Sequence, residues 1–159
     1  MSNSAGLFSS SLGRKYLMAL TGLFLCSFLL IHLLGNVALF TDPVQFNEYT
    51  RFMSSNPIIR VMEIILVLGF LTHIVDAVML SKANKAAQPV KYAMDRKQSS
   101  WYSRNMGLTG SIILAFLILH LQSFWYGYKF GDVAMTLDSS GAEIKDMFTM
   151  VVSAFSELW

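Results

Sequence analysis

Three long segments almost without charge restrict this chain more than any other feature. Tyr16 to Phe40 contains no charged residue, and neither does Asn105 to Tyr128. Between them, a segment from Pro57 to about Ser81 carries Glu63, His73 and Asp76 among apolar residues. A helix needs about 20 residues to cross a hydrocarbon core, so each is long enough to span a membrane. Composition agrees: 54% of residues are hydrophobic and only 14% charged, with a mean hydropathy of +0.50. About 25% charged is usual for a soluble protein. The expected fold is an all-α transmembrane helix bundle in a single domain, residues 1–159.

Local signals bound the spans at about 16–40, 57–81 and 105–128. Thr41-Asp42-Pro43 ends the first. Asn56-Pro57 opens the second with a cap residue and a proline at the first helical position. Met147 to Trp159 is apolar but has only 13 residues, so it reads as the start of a fourth span in a truncated chain. Arg14 and Lys15 precede a run too long for a signal peptide, and no small-residue cleavage site follows. The Ser-rich start, Met1 to Ser11, reads as a cytoplasmic tail. Cys26, the one cysteine, lies within an apolar run and reads as a small hydrophobe; the ten methionines read as lipid-facing or gap-filling side chains.

Basic residues set the orientation. Lys82, Lys85, Lys91, Arg96, Lys97 and Arg104 lie between the second and third spans, against the single acid Asp95. Acids instead dominate the segment after the third span, with Asp132, Asp138, Glu143 and Asp146 against Lys129 and Lys145. The N-terminus and second loop are therefore expected to be cytoplasmic, and the first loop and the 129–146 segment to share the outer side. A net charge of +2 gives no reason to expect nucleic acid as a partner.

The first and third spans repeat each other. Met18-Ala19-Leu20-Thr21-Gly22 matches Met106-Gly107-Leu108-Thr109-Gly110, Phe28-Leu29 matches Phe116-Leu117, and His32-Leu33 matches His120-Leu121. His32 and His120 each lie about 25 Å beyond a basic anchor, Lys15 or Arg104, at about 1.5 Å per residue. They are expected at one depth in the outer half. His73 precedes Lys82 and belongs to the inner half, on the order of 10–15 Å away by the same arithmetic.

A histidine inside a membrane can serve as an interhelical hydrogen-bonding group. Three of them favour a functional role, because ionisable groups are costly there. Two at one depth supply the paired imidazoles of a six-coordinate haem, whereas zinc needs more protein ligands at one level. Gly22 and Gly110 lie about 15 Å inward of their histidines, near the level of His73. There they can give a macrocycle clearance or let helices pack closely.

With these residues in place, the sequence resembles the diheme cytochrome b subunit of succinate dehydrogenase/fumarate reductase. The likeness runs through Lys15-Tyr16-Leu17-Met18-Ala19-Leu20-Thr21-Gly22-Leu23-Phe24, Ile31-His32-Leu33-Leu34-Gly35-Asn36 and Gln45-Phe46-Asn47-Glu48-Tyr49. It continues in Glu63, His73, Asn84-Lys85-Ala86-Ala87-Gln88-Pro89-Val90-Lys91-Tyr92, Ser103-Arg104 and Leu119-His120-Leu121. The resemblance implies five membrane helices, two b-type haems, and a place in the bacterial cytoplasmic membrane. It makes His32 and His120 the axial pair of the distal haem, and His73 a ligand of the proximal haem. The second proximal ligand belongs to the family's fourth helix. Here truncation removes it, or the proximal haem is lost, or another subunit completes it.

The resemblance further implies a flavoprotein subunit and an iron–sulfur subunit on the cytoplasmic face. Electrons then pass through the haems to a quinone, with menaquinone the family-level expectation. The basic cytoplasmic residues are candidates for contact with haem propionates or these subunits, beside their ordinary topological role. Glu63, about 15 Å outward of His73, is the candidate proton relay at a quinone site; as the competing reading, it pairs with Arg60. Glu48 is a weaker candidate, and Asp76 lies within reach of the basic loop. Two other readings stand beside this one: a haem-free membrane anchor, or a cytochrome b subunit of another respiratory dehydrogenase.

Overall fold

The structure, a computed structural model, describes residues 10–87, 100–101 and 105–156. It is predominantly helical, and three helices are long and apolar enough to cross a membrane: Leu12–Phe40, Pro57–Ala86 and Met106–Phe130. This is a multi-pass membrane protein. Large apolar side chains such as Leu23, Ile64 and Ile112 stand exposed along the spans, the arrangement suited to a lipid solvent. The chain divides into two compact units, Met1–Leu34 with Arg60–Arg96, and Gly35–Ile59 with Lys97–Trp159.

The first unit is built on α1 (Ser11–Val37) and α3 (Pro57–Ala86). Ser10 starts α1: its hydroxyl accepts from the Gly13 amide at 3.0 Å, as an N-cap does. The helix therefore begins ahead of Tyr16. Asn56 caps α3, accepting from the Ile58 amide at 2.9 Å, with Pro57 at the first helical position where a missing N–H costs nothing. Helix α3 continues to Ala86 rather than stopping near Ser81. The two helices meet through small residues. A Cβ on Gly69 would lie 3.0 Å from Phe24 Cε1, so the absent side chain makes room for the aromatic ring. Among the described residues, Gly13, Leu25 and Asp76 are buried here.

The second unit contains a helix that the sequence reading did not anticipate, α2 (Pro43–Ser55). Asp42 caps it, accepting from the Gln45 amide at 2.9 Å. The third span is α4 (Met106–His120), a wider π segment (Leu121–Tyr126) and a last α turn (Gly127–Phe130). A two-stranded antiparallel hairpin follows, β1 (Met135–Leu137) with β2 (Glu143–Lys145), in register Thr136 opposite Ile144. Apart from this short hairpin, the described elements are all helical, as expected of an all-α bundle. Asp138 shapes the hairpin loop, accepting from the Ser140 and Ala142 amides, each at 2.9 Å. Gly141 takes φ +83° there, a conformation that disfavours any Cβ. Finally α5 (Met147–Ser156) is short and apolar.

Phe46, Ile144 and Val151 form the buried apolar core of this unit. Beside them Asn47, only 2% exposed, joins α2 to α5. Its amide donates to Asp146 Oδ1 at 2.9 Å, and its carbonyl accepts from the Phe148 amide at 2.8 Å. Asp146 also receives the Thr149 amide and hydroxyl, so Asn47 and Asp146 together cap α5. Arg51 pairs with Asp138 at 2.8 Å, and Glu48 accepts from the Ser139 amide at 2.8 Å. The two loops expected to share one side are thus tied by side-chain bonds.

Candidate functional site

The repeat in sequence is also a repeat in side-chain geometry. His32 stacks on Phe28, four residues before it, with ring centroids 5.4 Å apart and planes 19° from parallel. His120 stacks on Phe116 at 5.5 Å and 22°. The i, i+4 spacing places both rings of each pair on one helix face. His120 has a further aromatic neighbour in Phe124, at 5.2 Å, which itself stacks on Phe155 of α5 at 6.3 Å. The π segment begins at the residue after His120, and such widened turns are frequent at functional positions.

His73, on α3, faces α1. Its Nδ1 lies 2.9 Å from Thr21 Oγ1. Gly22 lies against the same edge of the ring, where an added Cβ would stand 3.4 Å from His73 Cε1. Gly22 and His73 therefore share one level, as helix arithmetic anticipates, and an added Cβ would make ordinary van der Waals contact with the ring. Gly110 differs, since a Cβ there would meet nothing within 4 Å among the described residues. The repeat and the family likeness both contain Thr21 without giving it a role; the signal that points to one is a hydroxyl at the depth of a histidine on a neighbouring span.

Glu63 pairs with Arg60 one turn earlier on α3, which realises the ion pair weighed against the proton role. Asp76 is 5% exposed, and its Oδ2 has no hydrogen-bond partner among the described residues. Lys82 and Lys85 are exposed on the last turns of α3, while Lys91, Asp95, Arg96, Lys97 and Arg104 lie outside the described residues. Among the described residues no three His, Cys, Asp or Glu side chains gather as a bare metal ion would require.

Hydrogen bonds favour the ionised form of three carboxylates beyond the spans, Glu48, Asp138 and Asp146. Hydrogen bonds from the Ser139 hydroxyl and amide lower the Glu48 pKa. The Ser140 hydroxyl and the Ala142 amide do the same for Asp138. At Asp146 burial pushes upward, but the Thr149 and Asn47 hydrogen bonds outweigh it and the net direction is down.

Compared with protein-family models, curated proteins and solved structures, the chain finds no match.

Proposed function

We propose that this chain is the haem-binding membrane-anchor subunit of a succinate:quinone oxidoreductase, passing electrons between an iron–sulfur subunit and a membrane quinone. The observation that carries this reading is the repeated Phe–His stack. Two spans present an imidazole in the same local setting, in one unbroken sequence register. A stacked ring restrains the imidazole's rotation, as an axial ligand requires. On this reading His32 and His120 hold one b-type haem and His73 contributes to another. A bound haem supplies one-electron chemistry, at a potential that axial ligation and burial set. The flavoprotein and iron–sulfur subunits dock on the cytoplasmic face, where Lys82 and Lys85 emerge.

Glu63 is the proton carrier toward quinone. Because Arg60 holds its carboxylate, a proton reaches it only as that ion pair loosens, which couples protonation to movement of one side chain. Replacing Glu63 with Gln should slow quinone turnover and leave the haem spectra intact; undiminished turnover sinks the role.

The test of the whole reading is a reduced-minus-oxidised visible spectrum with haem quantification on the complex purified from membranes. A b-type α band with at least one haem per chain is expected, and its absence defeats the reading. That outcome favours a haem-free anchor, a reading to which the interhelical Thr21–His73 bond lends support. Co-purification of a covalent-flavin subunit separates this enzyme class from other respiratory dehydrogenases.

A further inference from the structure

The Thr21 hydroxyl has one proton to give, and its own helix takes it. Oγ1 lies 2.8 Å from the Leu17 carbonyl oxygen and 3.2 Å from that of Met18. Carbonyl oxygens only accept, so the hydroxyl donates backward along α1, as threonines within helices do. Its oxygen remains an acceptor, and the atom that faces it at 2.9 Å is His73 Nδ1. The bond then requires Nδ1–H as donor. A neutral imidazole carries a single N–H, so Nε2 bears the lone pair. Among the described residues Nε2 has no hydrogen-bond partner. An unmet acceptor in an apolar span is costly, and coordination to iron satisfies it.

We propose that Thr21 is a positioning residue for His73: it fixes the imidazole as the Nδ1–H tautomer and directs haem ligation to Nε2. The inference rests on the haem reading above. It matches the general arrangement in which a ligating histidine donates its other N–H to an outer partner that sets tautomer and ring orientation. Gly22 lies beside the seat, where an added Cβ would stand in ordinary contact with Cε1, 3.4 Å away. The repeat supplies an internal control. Thr109 bonds back to the Asn105 and Met106 carbonyls, both at 3.2 Å, and meets no histidine among the described residues.

The experiment uses the complex purified from membranes. His73→Ala first identifies which haem signal depends on His73, in the low-spin electron paramagnetic resonance spectrum and in haem content. Thr21→Val, close in shape but lacking the hydroxyl, should shift that signal and weaken haem retention about 10- to 100-fold, read as transfer to apomyoglobin. Thr21→Ser should restore both, and Thr109→Val should change neither. A Thr21→Val protein with the wild-type signal and transfer rate overturns the proposal. So does a Thr21→Ser protein as impaired as Thr21→Val, since packing alone would then explain the loss. If Thr21→Val fails to assemble, Thr21→Ser decides alone: wild-type signal and retention support the hydroxyl's role, and impairment overturns it. Absence of haem from the wild-type complex instead sinks the functional reading itself, and haem that survives His73→Ala unchanged leaves Thr21 no ligand to position.

Discussion

Removing the Asn47 side chain isolates the contribution of the tie between α2 and α5. Asn47→Ala deletes two hydrogen bonds, one to the Asp146 carboxylate and one from the Phe148 amide. The site is closed to solvent, since Asn47 is 2% exposed, and water does not readily replace the lost partner. A bond to a neutral group contributes about 1 kcal/mol and one to a charged group somewhat more. Together they put the loss at about 2–3 kcal/mol. At about 1.4 kcal/mol per factor of ten, local opening then becomes about 30- to 140-fold more frequent. Hydrogen exchange of the complex in nanodiscs measures this directly at the amides of Phe148 and Thr149. Asn47→Asp should do at least as much damage, because it sets two acceptors against each other where donor and acceptor met. Wild-type exchange at these amides would refute the reasoning. Loosening spread equally over the long spans would do so too, because the tie lies within one unit.

Acid should release the neighbouring contacts by a different route. Glu48 and Asp138 both titrate below their ordinary values of 4.5 and 3.8, so the folded state favours their ionised forms. That contribution is complete above those values and is lost as pH falls below them through the lower folded ones; protection factors at Ser139 and Ser140 should fall over that range. Arg51→Ala removes a partly exposed ion pair and should cost below about 1 kcal/mol, a difference that 1 M salt erases in thermal melts. Gly35→Ala forces a Cβ onto the Tyr49 ring, with Cζ at 3.1 Å, and should cost about 1–3 kcal/mol. Gly110→Ala, which meets nothing within 4 Å among the described residues, lies inside a helix and should leave the melting temperature no lower than wild type.

The spans were legible because lipid demands an uninterrupted apolar run, and such a run is a local property of sequence. Helix caps were legible too: Asn56-Pro57 reads as a start and behaves as one. Helix α2 was not, although Asp42-Pro43 carries the same start signal. Its sequence mixes polar and apolar residues, and the burial of Phe46 and Asn47 depends on Ile144, Phe148 and Val151, about one hundred positions away. No local pattern encodes that partner. At the candidate site, the histidines stood out as polar residues in apolar runs, and Arg60 with Glu63 follows from helix spacing. The Phe28 and Phe116 stacks were present in the repeat as matched letters. What a match could not convey is that Thr21 meets an imidazole 52 positions further along, because that contact belongs to helix packing. The π segment after His120 has no composition of its own that announces it.

That segment gives the repeat a definite end. Through the histidine the two copies are alike, each with its phenylalanine one turn earlier. Beyond it they part: the first span stays α-helical to Val37 and then tightens into a 3-10 turn at Ala38–Phe40, whereas the third widens at once. Residues 28–33 and 116–121 therefore share one local arrangement in a way that the residues after them do not. A chimera exchanging those blocks keeps each Phe–His pair and leaves each span its own ending. Extending the exchange through Phe40 would transplant a tight ending into a wide one, and would put Asn36 in place of Phe124 and remove its stack on Phe155.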